Sequence, residues 1–373
     1  MSVMLISIVI LIMIFLFVLQ APPEEELVNL LQPKDNLLSQ LQIETIYKYS
    51  QLFPNNTEFS IAFINGDSTK FIGFRRENDS LKYVGNSDKI FEIGSVTKTF
   101  TATILAKLVR NGRVDINEPI KNILPIQMHQ SSLNGKEVTL LHLANHTSGF
   151  PKEPDNINFD WTIPGSPYKL YDTTKLYDYL SKRMTLLSTP GEKREYSNLG
   201  GGLLGHLLNL ITKKSYENLL LESICQPLGM HHTFVTLNSE NVEYLIPGRD
   251  SLGHKIQNWE LNVLEGGGAI KSSAEDMVKY LIAHMTDTTY YLMTQQSTIK
   301  YTENNCAGLG WNWYESGNLK FVSATGGTGG YSCCVIFERS LKKAIVLLTN
   351  VSAFLASRDD SISNMGIELH KSL

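Results

Sequence analysis

A chain of 373 residues, 42% hydrophobic and 19% charged, is long enough to bury a substantial core and has the balance of an ordinary globular protein. Its net charge of −4 is small for that length, and no Lys/Arg run forms a continuous electrostatic footprint, which argues against nucleic acid as a partner. Cys225, Cys306, Cys333 and Cys334 show no C-x-x-C spacing, so they read as mostly buried thiols with one bridge possible, and neither a zinc site nor a disulfide framework is expected. His142 and His146 have the i, i+4 spacing of a metal site, but Leu143 stands where H-E-x-x-H has its glutamate. A structural role is expected for both, with no metal.

From Val3 to Leu19 every residue except Ser7 is apolar, and the first charge is Glu24. The stretch is long for a signal-peptide core and short for a membrane span, so residues 1–23 are expected to be an anchor or a cleaved signal, with the anchor preferred. Residues 24–373 then form the remaining domain, outside the cytoplasm. Leucine and isoleucine spacing predicts a helix over Leu27–Phe53, ended by Pro54-Asn55-Asn56. Strands are expected at Phe59–Ile64 and Phe71–Arg75, joined by the hairpin signal Asn65-Gly66-Asp67. A buried helix is expected over Ser95–Arg110, where Phe100, Ile104, Leu105 and Leu108 recur at helical spacing before Asn111-Gly112. Helical patterns dominate about 115–300, as at Thr174–Met184, Gly201–Thr212 and Ser215–Ile224. Strand signals return at Leu319–Val322, Tyr331–Phe337 and Lys343–Leu348, and a last helix covers Ser361–Leu373. The expected class is α+β: one antiparallel sheet built from both ends of the chain, flanked by helices, with a largely helical middle and a cleft between sheet and helices.

Ser95-Val96-Thr97-Lys98 is an S-x-x-K motif. On a helix, i and i+3 share a face, so the Lys98 amine approaches the Ser95 hydroxyl, and a lysine neutralised by burial can accept its proton. The bare pattern recurs at Ser166, Ser297 and Ser340, and context separates them. Ser166 sits in a loop before Pro167, Ser340 in a turn between expected strands, and Ser297 opens no apolar helix. Only Ser95 follows an apolar run and begins a long buried helix. Tyr196-Ser197-Asn198 adds a phenol that can relay protons near a lysine and an amide that can bind a carbonyl. Tyr216-Glu217-Asn218 has the same pattern but is read as surface, inside a helix. The run Ala324-Thr325-Gly326-Gly327-Thr328-Gly329-Gly330 lies between two expected strands, where glycines let backbone approach a ligand.

Together these elements resemble the serine β-lactamase and penicillin-binding protein superfamily, in particular its class C-like branch of DD-peptidases, esterases and β-lactamases. Further stretches carry the same likeness: Leu143-Ala144-Asn145-His146-Thr147-Ser148-Gly149-Phe150-Pro151, Pro190-Gly191 leading to Tyr196, Gln226-Pro227-Leu228-Gly229-Met230, and Gly308-Leu309-Gly310-Trp311. The likeness runs from about residue 50 to 350. It implies Ser95 as nucleophile, Lys98 as its activator, Tyr196 as proton relay to the leaving group and Asn198 on the substrate amide. It also implies an oxyanion between the N–H groups of Ser95 and Gly327, with Thr325 and Gly326 lining the substrate site, and no cofactor. The expected substrates are D-alanyl peptides of the peptidoglycan type, β-lactams or small esters. The alternative is a catalytically weak protein of the same fold that binds cell-wall or membrane partners. One position departs from the family: Ala324 stands where a lysine or histidine opens the third motif, which removes a donor for a substrate carboxylate unless another arginine or lysine supplies it.

Overall fold

The computed structural model describes residues 38–77, 80–158, 166–317, 319–352 and 361–373. Thirteen strands are described in chain order: β1 Glu58–Asn65, β2 Ser68–Glu77, β3 Ser80–Tyr83, β4 Phe91–Glu92, β5 Ser132–Leu133, β6 Lys136–Glu137, β7 Lys271–Ser272, β8 Ile299–Lys300, β9 Asn305–Ala307, β10 Asn312–Ser316, β11 Leu319–Gly327, β12 Ser332–Glu338 and β13 Lys343–Thr349. Nine form one sheet in the order β3-β2-β1-β13-β12-β11-β10-β9-β8. Every pairing in it is antiparallel, and β1 lies against β13 with Ile61 opposite Leu347, so the sheet joins the two ends of the chain as expected.

Helices cover both faces of this sheet, which is why β13 reads Ala344-Ile345-Val346-Leu347-Leu348 with no polar alternation. Ile345 and Leu347 point to one face with Phe59, Ile61, Ile43, Ile46, Met365 and Leu369, the last four contributed by α1 (Gln40–Ser50) and by a C-terminal helix, Ser361–Lys371. Val346 and Leu348 point to the other, where Ala62 and Ile64 meet the larger core. That core is centred on α2 (Thr97–Arg110), in which every residue from Thr97 to Ala106 is buried. Burial on all sides leaves its threonine hydroxyls no water, and Thr99, Thr101 and Thr103 donate to the carbonyls of Val96, Thr97 and Thr99 on their own helix. Two further helices join this core, α3 (Asn198–Thr212), whose start lines the cleft, and α4 (Ala274–Thr286), which packs on β1 and β13.

The differences from the sequence reading have local causes. Helix α1 begins at Gln40 because Ser39 and Gln42 form a reciprocal capping box; residues 27–37 of the expected helix lie outside the described residues. Strand β11 continues past Val322 to Gly327, so the first part of the glycine-rich run is strand. The strands β8, β9 and β10 were not foreseen: β8 and β9 are two and three residues long, too short for alternation to show, and three of the five residues of β10 are Asn312, Glu315 and Ser316, which break it. Tyr216 is a correction: it is fully buried, not on the surface, with its hydroxyl 2.6 Å from Thr101 Oγ1. All four cysteines are free thiols, three buried and Cys306 partly so, and none is bridged. Among the described residues no helix is long and apolar enough to cross a membrane; Val3–Leu19 lies outside them.

The Tyr216 hydroxyl ties the helical region to α2, where Thr101 also donates to Gly266 O at 2.8 Å. Tyr216→Phe keeps the ring and removes one buried hydrogen bond, so unfolding free energy should fall by about 1 kcal/mol. Urea titration checks this; an unchanged midpoint would mean that the hydroxyl contributes nothing.

Candidate active site

Ser95 lies in a 3-10 turn, Gly94–Val96, that leads into α2. The turn is fixed from behind by Ile93 N–H donating to Ile270 O at 3.0 Å and by β4 pairing with β7. From the front it meets β11 with no side chain between. A Cβ on Gly94 would stand 2.5 Å from Gly327 N, and one on Gly326 would stand 2.0 Å from Ile93 O and 2.9 Å from Ser95 N. Gly94 also has φ +48°, a conformation L side chains rarely adopt. The glycines are therefore required for contact, and the contact puts the backbone of Ser95 beside that of Gly327.

One turn on, Lys98 is 5% exposed. Its Nζ lies 3.0 Å from Ser95 Oγ, 2.9 Å from Asn198 Oδ1 and 2.6 Å from Gly267 O, so that as a free amine it gives its two N–H groups to Asn198 and Gly267 and turns its lone pair to Ser95 Oγ. Tyr196, 38% exposed, donates to Ser95 Oγ at 2.6 Å, and its ring lies 4.9 Å from Lys98 Nζ. Asn198 is the first residue of α3, whose N-cap Ser197 accepts from Gly200 N–H at 2.9 Å. The helix thus starts three residues before the expected Gly201, and this places the amide beside the lysine. The glycines that follow make the approach possible: a Cβ on Gly201 would stand 2.7 Å from Lys98 Cε, and one on Gly205 2.7 Å from Gly266 Cα.

Three further residues belong to this constellation: Glu153 and Arg194 were not foreseen, and His146 was expected only in a structural role. Glu153 Oε1 accepts from Asn198 Nδ2 at 2.6 Å and from Tyr168 OH at 2.9 Å, and burial holds its carboxyl above the ordinary value of 4.5. The amide of Asn198 therefore spans Lys98 and Glu153, with one N–H left for another acceptor. His146 is buried under the Tyr196 ring, centroids 4.6 Å apart, and its Nδ1 accepts from Ser197 N–H at 3.3 Å. Burial, with Lys98 and Arg194 adding, holds it well below its ordinary value, so the imidazole is neutral. His142 instead caps Thr139 through Nδ1, so the two histidines share no ligand. Arg194 is half-buried and donates to Asn312 Oδ1 at 2.6 Å. Glu153 and Arg194 carry no motif of their own, and only their closeness to Pro151 and Tyr196 could have pointed to them.

These groups line a cleft of about 1020 Å³, together with Thr325, Gly326, Gly327 and Trp259. Thr325 is exposed in it, whereas Ala324 is 3% exposed on the alternate phase of β11, the face on which Gly326 meets the Ser95 turn. Glu92 holds the cleft wall, since its Oε1 accepts from Asn258 Nδ2 at 2.9 Å and from Trp259 N–H at 2.7 Å. Of the other S-x-x-K serines, Ser297 and Ser340 lie outside the cleft lining, and so does the buried Ser166.

The sequence model of the family described as β-lactamase matches residues 71–365. A β-lactamase of Pseudomonas fluorescens is 26% identical over 336 residues, covering 78% of this chain and 87% of that protein. The D-alanyl-D-alanine-carboxypeptidase/endopeptidase AmpH of Escherichia coli K12 is 25% identical, covering 84% and 85%. Among solved structures, a β-lactamase/D-alanine carboxypeptidase from Yersinia pestis complexed with citrate superposes with a TM-score of 0.73 at 21% identity, over 89% of this chain and 98% of that one. The fold is the one shared by these proteins, a large antiparallel sheet flanked by helices.

Gly201→Ala tests whether the close approach of α3 is what holds the lysine. Alanine is favoured over glycine inside a helix by about 1 kcal/mol, but its methyl would push Lys98 away from Ser95, Asn198 and Gly267. Turnover should fall at least about tenfold while the melting temperature shifts by only a few degrees. Unchanged kinetics in the variant would show that Lys98 has room to spare.

Proposed function

The chain belongs to the β-lactamase family of serine hydrolases, and we propose that it cleaves D-alanyl peptides, β-lactams or small esters through an acyl-enzyme on Ser95. The observation that carries this is the position of one oxygen: Ser95 Oγ lies 3.0 Å from Lys98 Nζ and 2.6 Å from Tyr196 OH at once. A capping or packing serine needs neither neighbour. Names of relatives point the same way, one a β-lactamase and one a D-alanyl-D-alanine-carboxypeptidase/endopeptidase.

In this reading Lys98 takes the Ser95 proton as Oγ attacks the scissile carbonyl. The oxyanion accepts from the N–H groups of Ser95 and Gly327, whose backbones meet without side chains between them. Tyr196, exposed on the solvent side of Ser95, passes a proton to the leaving nitrogen or oxygen. Asn198 holds the lysine through Oδ1 and offers its remaining N–H to the acyl amide, and Thr325 and Gly326 line the wall along which an extended substrate lies. Water then attacks the ester and frees Ser95 by the reverse sequence. Every step uses side chains and backbone, with no cofactor. Neutral His146 beneath the Tyr196 ring supports the phenol without adding a charge.

We place residues 24–373 outside the cytoplasm, with Val3–Leu19 as the membrane anchor, on the apolar run alone. The expected substrates, peptidoglycan-type peptides and small esters, fit that side of the membrane.

Ser95→Ala should abolish turnover of a chromogenic ester and of a D-alanyl peptide while leaving the unfolding midpoint nearly unchanged. Lys98→Ala and Tyr196→Phe should each cost several orders of magnitude in kcat, and the double variant little more than the worse single, because the groups act as a unit. Steady-state kinetics checks this, and residual activity within about tenfold of wild type in Ser95→Ala would sink the assignment. Deleting residues 1–23 should release a soluble chain with full kcat/KM from a membrane fraction. Loss of activity together with the fold would show that the segment belongs to the core.

A further inference from the structure

Arg194 lines the cleft two residues before Tyr196. One Nη donates to Asn312 Oδ1 at 2.6 Å, and the guanidinium lies over the Tyr301 ring, 4.4 Å from its centroid. Those two contacts fix its plane, yet they supply no negative charge. Its Nε is buried without a hydrogen-bond partner, and among the described residues it makes no ion pair. The nearby acids are engaged elsewhere, Glu195 with Lys193 and Glu153 with Asn198 and Tyr168. Its Nη1 also makes no hydrogen bond among the described residues and is not buried, and a half-buried guanidinium with an idle donor is costly unless an anion completes it. The cations of the cleft narrow the choice. Lys98 is held inside the protein by Ser95, Asn198 and Gly267, and Lys152 is exposed, so among the described residues Arg194 is the fixed cation of the cleft that still has a donor, on Nη1, to give.

Its placement answers the departure at Ala324. Asn312 pairs across β10 and β11 with Ser323, so it anchors the guanidinium on the face of β11 that Ser323 shares with the exposed Thr325, one residue along the strand from the methyl that replaces the family's basic side chain. Its charge also acts on Tyr196 and His146. We propose that Arg194, held by Asn312 and Tyr301, is the carboxylate-recognition residue of this cleft, taking the substrate carboxylate that position 324 cannot bind. A planar guanidinium suits a carboxylate because two N–H groups can meet its two oxygens. The inference rests on the hydrolase reading above for the substrate, but not for the binding itself.

The test compares wild type, Arg194→Gln and Arg194→Lys, all as full-length chains, on two esters of phenylacetylglycine that differ only in charge, those of 3-hydroxybenzoate and 3-hydroxybenzamide. Arg194→Gln should lower the ratio of kcat/KM for the charged over the neutral ester by about ten- to a hundredfold, with Arg194→Lys between, as loss of a charge-assisted hydrogen bond implies. A second arm needs no turnover: 3-acetamidobenzoate and 3-acetamidobenzamide are titrated against each chain by NMR, and Arg194→Gln should weaken only the benzoate, by a similar factor. An unchanged ratio and unchanged benzoate affinity overturn the inference. So does an equal fall on both esters with unchanged benzoate affinity, which would assign Arg194 to support of Tyr196. If wild type hydrolyses neither ester, the hydrolase reading fails, and the titration alone decides whether Arg194 binds the carboxylate.

Discussion

Ser95 stands where it does because two lengths of backbone touch with nothing between them. Residues 93–95 and 326–327 approach so closely that a methyl on Gly94 or Gly326 would overlap the opposing main chain. Everything reactive is arranged around that contact. It brings the N-terminal turn of α2 against β11, a strand more than two hundred residues later in the chain, and it sets the backbone of Ser95 beside that of Gly327. The sheet makes the contact rigid, since β11 is held by β10 on one side and β12 on the other.

A second close approach sets the chemistry of the lysine. Gly201 and Gly205 let α3 lie against α2 and the 262–267 turn, leaving Lys98 in a slot lined by oxygen atoms and almost closed to water. Its amine is held between Asn198 and Gly267 and aimed at Ser95 Oγ. The half-buried pair of Asn198 and Glu153 fixes that aim, because an amide with both ends occupied cannot turn. The site is thus built on two helix N-termini and one strand, and the loops leading into α3 add Glu153, Arg194 and Tyr196.

Much of this was legible in the residues, and the reasons differ from part to part. Long, strongly apolar elements such as α2 and β13 show their burial directly, and the order of the S-x-x-K, Tyr-Ser-Asn and glycine motifs carried the fold. Ser95, Lys98, Tyr196 and Asn198 converge because those motifs sit at element starts, where sequence signals are sharpest. Glu153 and Arg194 were hidden, since each is a lone charged residue in a loop and only three-dimensional proximity gives it partners. Tyr216 was misplaced for a related reason: a polar atom on a helix reads as surface until its buried partner, Thr101, is brought from another helix. The short strands β8 and β9 carry too few residues for any periodicity, and polar residues break it in β10.

The central claim is that Ser95 Oγ, poised between Lys98 and Tyr196, forms a covalent acyl-type adduct. Intact-mass measurement of the full-length chain after exposure to a fluorophosphonate, followed by peptide mapping, addresses it without any assumption about the natural substrate. One adduct per chain on the peptide containing Ser95, absent from Ser95→Ala, is the predicted result. No adduct, or an adduct on another serine with Ser95 unmodified, would contradict the account.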